Sequence, residues 1–144
     1  MGTIISLNIS EKKGVNKIPV KQIELLVDHG IKGDAHAGDW HRQVSLLAEE
    51  SIDIMRAKGL ELDPGAFAEN ITTKGIKLAE LPIGTLLTAG ETELEVTQIG
   101  KKCHQGCAIF KQVGDCIMPR EGIFAKVITP GTLHAGEPIS IKKA

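Results

Sequence analysis

The sequence predicts a mainly-β protein, a closed or partly open β-barrel with one or two short helices. Three observations predict it. Apolar residues recur in short runs rather than long ones, which suits strands. Sixteen glycines and regularly placed prolines punctuate the gaps, as tight turns require. Only one stretch, at 48–58, carries a helical pattern. Closing the strands into a barrel leaves few exposed edges. A chain of 144 residues is expected to form one domain over 1–144. It can bury about two-thirds of its unfolded surface without disulfides.

The elements follow in order. Thr3 to Ile9 reads as a strand with Ile5, Leu7 and Ile9 on one face. Lys12-Lys13-Gly14 turns, and Ile18-Pro19-Val20 is a short strand that Pro19 places at an edge or bend. Gln22 to Val27 is the next strand, and His29 to Arg42, with three glycines and no periodicity, is a loop. Val44 to Leu47 is a brief apolar strand. A helix follows from Ala48 to Lys58, with Ser45 as N-cap, Glu49 and Glu50 in its first turn, Arg56 and Lys58 in its last, and Gly59 as its stop. Ala48, Ile52 and Met55 share its apolar face, and a second helical turn falls around Gly65 to Ala68. Strands return at Asn70–Thr73, Gly84–Ala89 and Glu93–Ile99, the last two joined by a Gly90-Glu91-Thr92 hairpin turn. Leu94, Val96 and Gln98 are expected on one face of that strand, and Glu93, Glu95 and Thr97 on the other. Phe124–Ile128, a Pro130-Gly131 turn and Ile139–Ile141 complete the chain.

Composition excludes several classes of function. Seventeen Lys and Arg balance eighteen Asp and Glu for a net charge of −1, so neither nucleic acid nor a membrane surface is expected as a bulk electrostatic partner. Tyrosine is absent, and one tryptophan and three phenylalanines supply few stacking platforms for single strands. No apolar run approaches the roughly 18 residues that span a bilayer. The N-terminus lacks the pattern of a signal peptide, and three cysteines cannot all pair within the chain. A cytoplasmic, reducing location with free thiols is therefore expected.

Four segments hold the chemistry. The first, Gly33-Asp34-Ala35-His36-Ala37-Gly38 and then His41-Arg42-Gln43, gathers an acid, two imidazoles and a guanidinium. Arg42 suits an oxyanion, because a guanidinium fork matches carboxylate and phosphate. Asp34 and His36 either belong to a site or bond each other to pin the loop. The second, Glu69-Asn70-Ile71, places two polar side chains at a turn into a strand, a position asparagine also fills for structural reasons. The third runs from Lys101-Lys102-Cys103-His104 to Cys107 and Cys116, all three cysteines falling within fourteen residues. A thiolate is a nucleophile and a soft metal ligand, and nearby lysine or imidazolium favours it. Gly106 and the lysines point to Cys107 as the activated thiol, whereas Cys116, between Asp115 and Ile117, reads as a small buried hydrophobe. A zinc set of three cysteines with His104 or His36 is also open, although the paired short knuckles of common zinc modules are missing. The fourth is Pro119-Arg120-Glu121-Gly122, where Arg120 either faces a phosphate or pairs with Glu121.

Taken in order, 33–38, Arg42-Gln43-Val44-Ser45-Leu46-Leu47, 69–71, Cys103-His104-Gln105-Gly106-Cys107-Ala108-Ile109 and 119–125 resemble the MOSC domain, the module found at the C-terminus of molybdenum cofactor sulfurases. The resemblance implies a barrel similar to the pyruvate kinase β-barrel domain, and a cleft with one key cysteine. That position falls on Cys107, which would carry sulfane sulfur as a persulfide or ligate molybdenum of a molybdopterin cofactor, a metal that thiolates bind well. Arg42 and Arg120 become candidates for the pterin phosphate, with Lys101 and Lys102 in reserve. Gln43, Glu69 and Asn70 become candidates for its amide and amine edges, and Asp34, His36, Cys103 and His104 for the rest of the cofactor-binding wall. The loop at 33–43 and the segment at 101–107 are expected to line one pocket.

The resemblance leaves three functions open. The chain is a cofactor binder or sulfur carrier serving molybdenum cofactor biosynthesis proteins or molybdoenzymes. With no pyridoxal-phosphate domain in the sequence, it would then depend on a separate sulfur donor. Alternatively, it is a small molybdenum-dependent reductase of N-hydroxylated compounds, which requires a separate electron donor. The third reading is a zinc-stabilised, non-catalytic interaction module.

Overall fold

A computed structural model of the chain describes residues 2–10, 17–35, 37–57, 59, 69–99 and 122–142. The described strands are β1 (Gly2–Ile9), β2 (Ile18–Val20), β3 (Gln22–Leu26), β4 (Gly30–Ile31), β5 (Val44–Ala48), β6 (Ile71–Lys74), β7 (Leu86–Ala89), β8 (Thr92–Ile99), β9 (Ile123–Thr129), β10 (Gly131–His134) and β11 (Pro138–Ile141). One helix, α1 (Glu49–Arg56), and a 3₁₀ turn at Leu78–Glu80 accompany them. Seven strands close a barrel in the order β1-β11-β7-β8-β9-β5-β6 and back to β1, while β2 extends β1 beyond the ring. A second sheet, β10-β3-β4, packs its Ile23, Leu25, Ile31 and Leu133 into the same core. The mainly-β barrel expected from the sequence is therefore present.

The interior is aliphatic. Ile4, Leu46, Ile71, Leu94, Val96 and Ile139, drawn from five strands, are wholly inaccessible to solvent, each large side chain contributing about 1.5–3 kcal/mol. All barrel pairings are antiparallel except β5 with β6, where Leu46 faces Ile71. A parallel pair needs a crossover connection, and α1, packed on β5 and β6, lies within it. Ile52 is the helix's buried anchor. Arg56 in its last turn bonds Asp53 at 2.7 Å and Glu49 at 3.5 Å, and the Asp53 carboxylate raises the guanidinium's pKa further.

Several expectations are corrected. Ile5, Leu7 and Ile9 do not share a face, because a bulge between Ile4 and Ser6 shifts the strand's phase. Ile4 and Leu7 point inward and Ile5 is 38% exposed. Ser45 is not the helix cap: it lies within β5, and α1 begins four residues later with no intervening loop. The 29–42 stretch contains β4, where Gly30 adopts φ +106° and an added Cβ would meet the Gln43 carbonyl at 2.7 Å. Only glycine fits that approach. Pro130-Gly131 is not a free turn, since β10 starts at Gly131 and pairs with β3. A second bulge, between Val96 and Gln98, sets Gln98 opposite Phe124 rather than in line with the interior face of Leu94 and Val96. The Gly90 hairpin holds, with Ala89 opposite Thr92 and Gly90 at φ +56°. The helical turn anticipated at 65–68 lies outside the described residues.

Candidate functional site

Ladder registers and backbone hydrogen bonds place one row of side chains across four strands and the residue before β6, on the outer face of the barrel wall. Gln98 of β8 stands opposite Phe124 of β9, and Phe124 opposite Ser45 of β5. Ser45 and Asn70 bond backbone to backbone, and Asn70 accepts the Asn8 N–H of β1 at 2.7 Å. The row thus runs Gln98, Phe124, Ser45, Asn70, Asn8.

Asn70 is the knot of this row. Its Oδ1 accepts the Ser45 N–H at 3.0 Å and the Ser45 hydroxyl at 3.1 Å. Its N–H reaches Ser45 Oγ at 3.0 Å, and its Nδ2 donates to the Asn8 carbonyl at 3.1 Å. The hydroxyl expected to cap α1 is therefore engaged here. Asn8 extends the network, donating to the Glu69 carbonyl at 3.2 Å and to Thr72 Oγ1 at 3.1 Å while accepting the Ser6 hydroxyl at 2.7 Å. Thr72 in turn donates to the Glu69 carboxylate at 2.8 Å. Glu69, Asn70, Asn8 and Thr72 are completely buried. Buried polar groups of this kind persist only when hydrogen-bonded.

The Asp34 loop joins the same strand end. The Ser10 N–H donates to Asp34 Oδ1 at 3.1 Å, and the Ala35 N–H to the Ser10 carbonyl at 2.7 Å. Lys17 Nζ lies 2.7 Å from Asp34 Oδ1 and 3.3 Å from Ser10 Oγ, with both charged side chains wholly buried. A charge so placed must be paired. Asp34 and Ala35, with the segments 42–47 and 69–71, thus meet around Asn8 to Ser10.

Arg42 lies at the opposite end of the row. Its Nε–H donates to Gln98 Oε1 at 3.0 Å, and its guanidinium sits 5.2 Å over the Phe124 ring, a cation–π geometry. Half-buried, it has no carboxylate partner among the described residues. Gln43, only 3% exposed, gives its Oε1 to the Val127 N–H at 3.0 Å, extending the β5–β9 ladder by a side chain.

Of the residues singled out in the sequence, the structure brings Asp34, Glu69 and Asn70 together around the end of β1, and Arg42 onto the same wall. His36, Lys101, Lys102, Cys103, His104, Cys107, Cys116 and Arg120 lie outside the described residues, as does the 101–107 side of the expected pocket and the cysteine set of the zinc reading. Among the described residues no group of three His, Cys, Asp or Glu side chains is arranged to hold a metal, and no helix is long and apolar enough to cross a membrane. Sequence reading missed Asn8, Ser10, Lys17 and Gln98. The polar residues at the end of β1 were a signal, since they interrupt a strand otherwise rich in apolar residues. Lys17 gave none, because lysine is almost never fully buried unless paired.

The sequence matches the MOSC domain family over residues 33–140, and the chain belongs to that family, which is associated with the molybdenum cofactor. Among solved structures it is similar to the YuaD protein from Bacillus subtilis, with 18% identity, 96% of this chain and 94% of that one covered, and a TM-score of 0.80. It is similar to YiiM from Geobacillus stearothermophilus, with 19% identity, coverage of 99% and 76%, and a TM-score of 0.74. YiiM from Escherichia coli aligns at 21% identity, with coverage of 100% and 71% and a TM-score of 0.69. These likenesses show a shared fold. Among curated protein sequences none matches significantly.

Proposed function

We propose that this chain binds a molybdopterin-type cofactor against the outer wall of its barrel, or carries sulfane sulfur on Cys107 for molybdenum enzymes, or does both. The observation that carries the proposal is Arg42. It is a half-buried guanidinium, anchored through Nε and its π-face, with terminal nitrogens free of any carboxylate among the described residues. A fork held this way suits the terminal phosphate of the pterin. The donor set therefore fits the cofactor, which when bound supplies a molybdenum centre for which a Cys107 thiolate is a suited soft ligand.

Gln43, Glu69 and Asn70 take a different part from the one the resemblance suggests. Gln43 Oε1 and both ends of the Asn70 amide are engaged by the protein itself, and the Glu69 carboxylate accepts Thr72. They hold the frame on which the ligand-facing groups sit. In the sequence the cysteine segment is flanked by two residues of this wall, Gln98 and Phe124. It follows β8 directly after Ile99, one residue past Gln98, and the chain re-enters at Ile123, which pairs with Ile99. In the carrier role the Cys107 thiolate attacks the outer sulfur of a donor persulfide. The donor S–S bond breaks, its thiolate leaves, and Cys107 becomes the persulfide.

The test is composition and mass. Protein purified from molybdate-replete cells is assayed for molybdenum and pterin, and Cys107 is examined by mass spectrometry. The proposal expects either metal with pterin, lost in R42A, or the mass of one added sulfur on Cys107, lost in C107S. Protein that lacks all three and does not take up added cofactor overturns it.

A further inference from the structure

Gln98 lies outside every segment that carries the family resemblance, yet two neighbouring side chains converge on its single amide oxygen. Arg42 Nε lies 3.0 Å from Oε1 and His41 Nε2 lies 2.9 Å from it. A guanidinium has donors only, so the Gln98 atom facing Arg42 is the carbonyl oxygen. This removes the ambiguity that usually attends an amide's orientation. The same oxygen can only accept, and His41 Nε2 must therefore carry a proton. In the neutral imidazole that leaves the lone pair on Nδ1. Arg42 thus decides the orientation of Gln98, and Gln98 decides the tautomer of His41.

The surroundings enforce the arrangement. The Thr97 hydroxyl is shared between the carbonyls of His41 and Phe124, tying the loop backbone to β8 and β9. Trp40 meets the His41 ring edge-on, with centroids 5.9 Å apart and planes at 69°. Phe124 supports the Arg42 guanidinium from below. Adjacent residues of one strand therefore hold the backbone and the side chains of the 40–42 segment. Their sequence position follows from the bulge that sets Gln98 opposite Phe124.

We infer that Gln98 is a positioning residue, which aims the terminal nitrogens of Arg42 and fixes His41 as the Nε2–H tautomer. A cationic fork for a phosphate, and beside it an imidazole acceptor for a donor group of the same ligand, are thereby presented together. The inference rests on the assignment of Arg42 to a phosphate. An arginine is long and rotamer-rich, and holding it before the ligand arrives removes part of the ordering cost of binding.

The test uses the full chain, inorganic phosphate as the probe, and R42A, Q98L and Q98E as variants. Long-range ¹H–¹⁵N spectra report the His41 tautomer, and titration reports phosphate affinity. Wild type is expected to show the Nε2–H form and to bind phosphate, with binding abolished in R42A. Q98L removes the acceptor, so the tautomers mix and the phosphate Kd rises roughly tenfold, the scale of one charge-assisted hydrogen bond. Q98E keeps an acceptor oxygen but sets a carboxylate against Arg42. It retains the tautomer and still loses roughly tenfold in affinity, a split that a merely structural role would not produce. Unchanged phosphate affinity in both Gln98 variants, with R42A inactive, overturns the positioning role and leaves the phosphate assignment standing. Phosphate binding in R42A equal to wild type overturns the phosphate assignment itself, and a wild-type tautomer in Q98L overturns the hold on His41.

Discussion

The inside and the outside of this barrel wall are built on opposite terms. Inside, aliphatic side chains fill the space between strands, and burial depends on volume rather than direction. Outside, where β1, β5 and β6 meet, Asn8, Ser45, Glu69, Asn70 and Thr72 are as deeply buried as the core, yet each is held by directed hydrogen bonds. The two faces belong to the same strands: Leu46 and Ser45 are neighbours in β5, and Ile71 and Asn70 are neighbours at the start of β6. The inner face can tolerate a change of shape that keeps volume. The outer face cannot lose one partner without orphaning another. A wall of this kind suits a site, because its geometry is specified atom by atom.

Breaking the outer face should therefore cost most where a charge is stranded. Lys17→Met leaves Asp34 buried without its ammonium, and a stability loss of roughly 3–5 kcal/mol is expected by urea unfolding. Lys17→Met with Asp34→Leu should recover most of that loss, since an apolar pair can replace a buried ion pair at little cost. A single variant as stable as wild type would show that the pair does not hold the loop. Next comes Asn70→Ala. It removes the acceptor shared by the Ser45 N–H and hydroxyl and the donor to the Asn8 carbonyl, and a loss of about 2–4 kcal/mol is expected. That places the removal of a small amide level with Leu46→Ala, for which a core cavity predicts about 2–5 kcal/mol. If Asn70→Ala proves far milder, the contrast between the faces is overstated.

How legible each face was in the sequence follows from the same physics. The inner face repeats a simple pattern, so the strands at 22–26, 44–48, 92–99 and 123–129 could be read from apolar runs and turn residues. The phase of β1 could not, because a bulge at Ile4–Ser6 leaves no compositional mark. β4 and β10 could not either, since two residues at Gly30–Ile31 and a strand opening on Gly131 look like turns until their distant partner, β3, is known. On the outer face, Asp34 and Arg42 announced themselves in a glycine-containing polar loop, and Glu69 and Asn70 as two polar residues at a turn into a strand. Their partners Lys17, Asn8 and Gln98 lie between 17 and 62 positions away along the chain. No local pattern connects residues so far apart. The expected cap at Ser45 failed for the same reason: a local signal was outcompeted by Asn70, twenty-five positions on.

The smallest effect gives the sharpest comparison, because it uses two adjacent residues of one strand. Thr72 and Thr73 are both wholly buried in β6, but successive side chains of a strand point to opposite faces. Thr72 Oγ1 accepts from Asn8 and donates to Glu69. Thr73, opposite Ile4 and Ala48, has an Oγ1 with no hydrogen-bond partner among the described residues. Valine matches threonine in shape and β-branching and differs in replacing the hydroxyl by a methyl group. Thr72→Val should therefore destabilise by about 1–2 kcal/mol, because it removes one of the two acceptors of the Asn8 amide and the hydroxyl bond to Glu69. Thr73→Val should stabilise by about 1 kcal/mol, because it removes a buried hydroxyl that gains nothing in return. Both would appear as opposite shifts of the urea midpoint at constant m-value. A shared sign would mean that the two faces of β6 do not differ in the way described, and that Thr73 makes its hydrogen bond to a group beyond the described residues or to solvent.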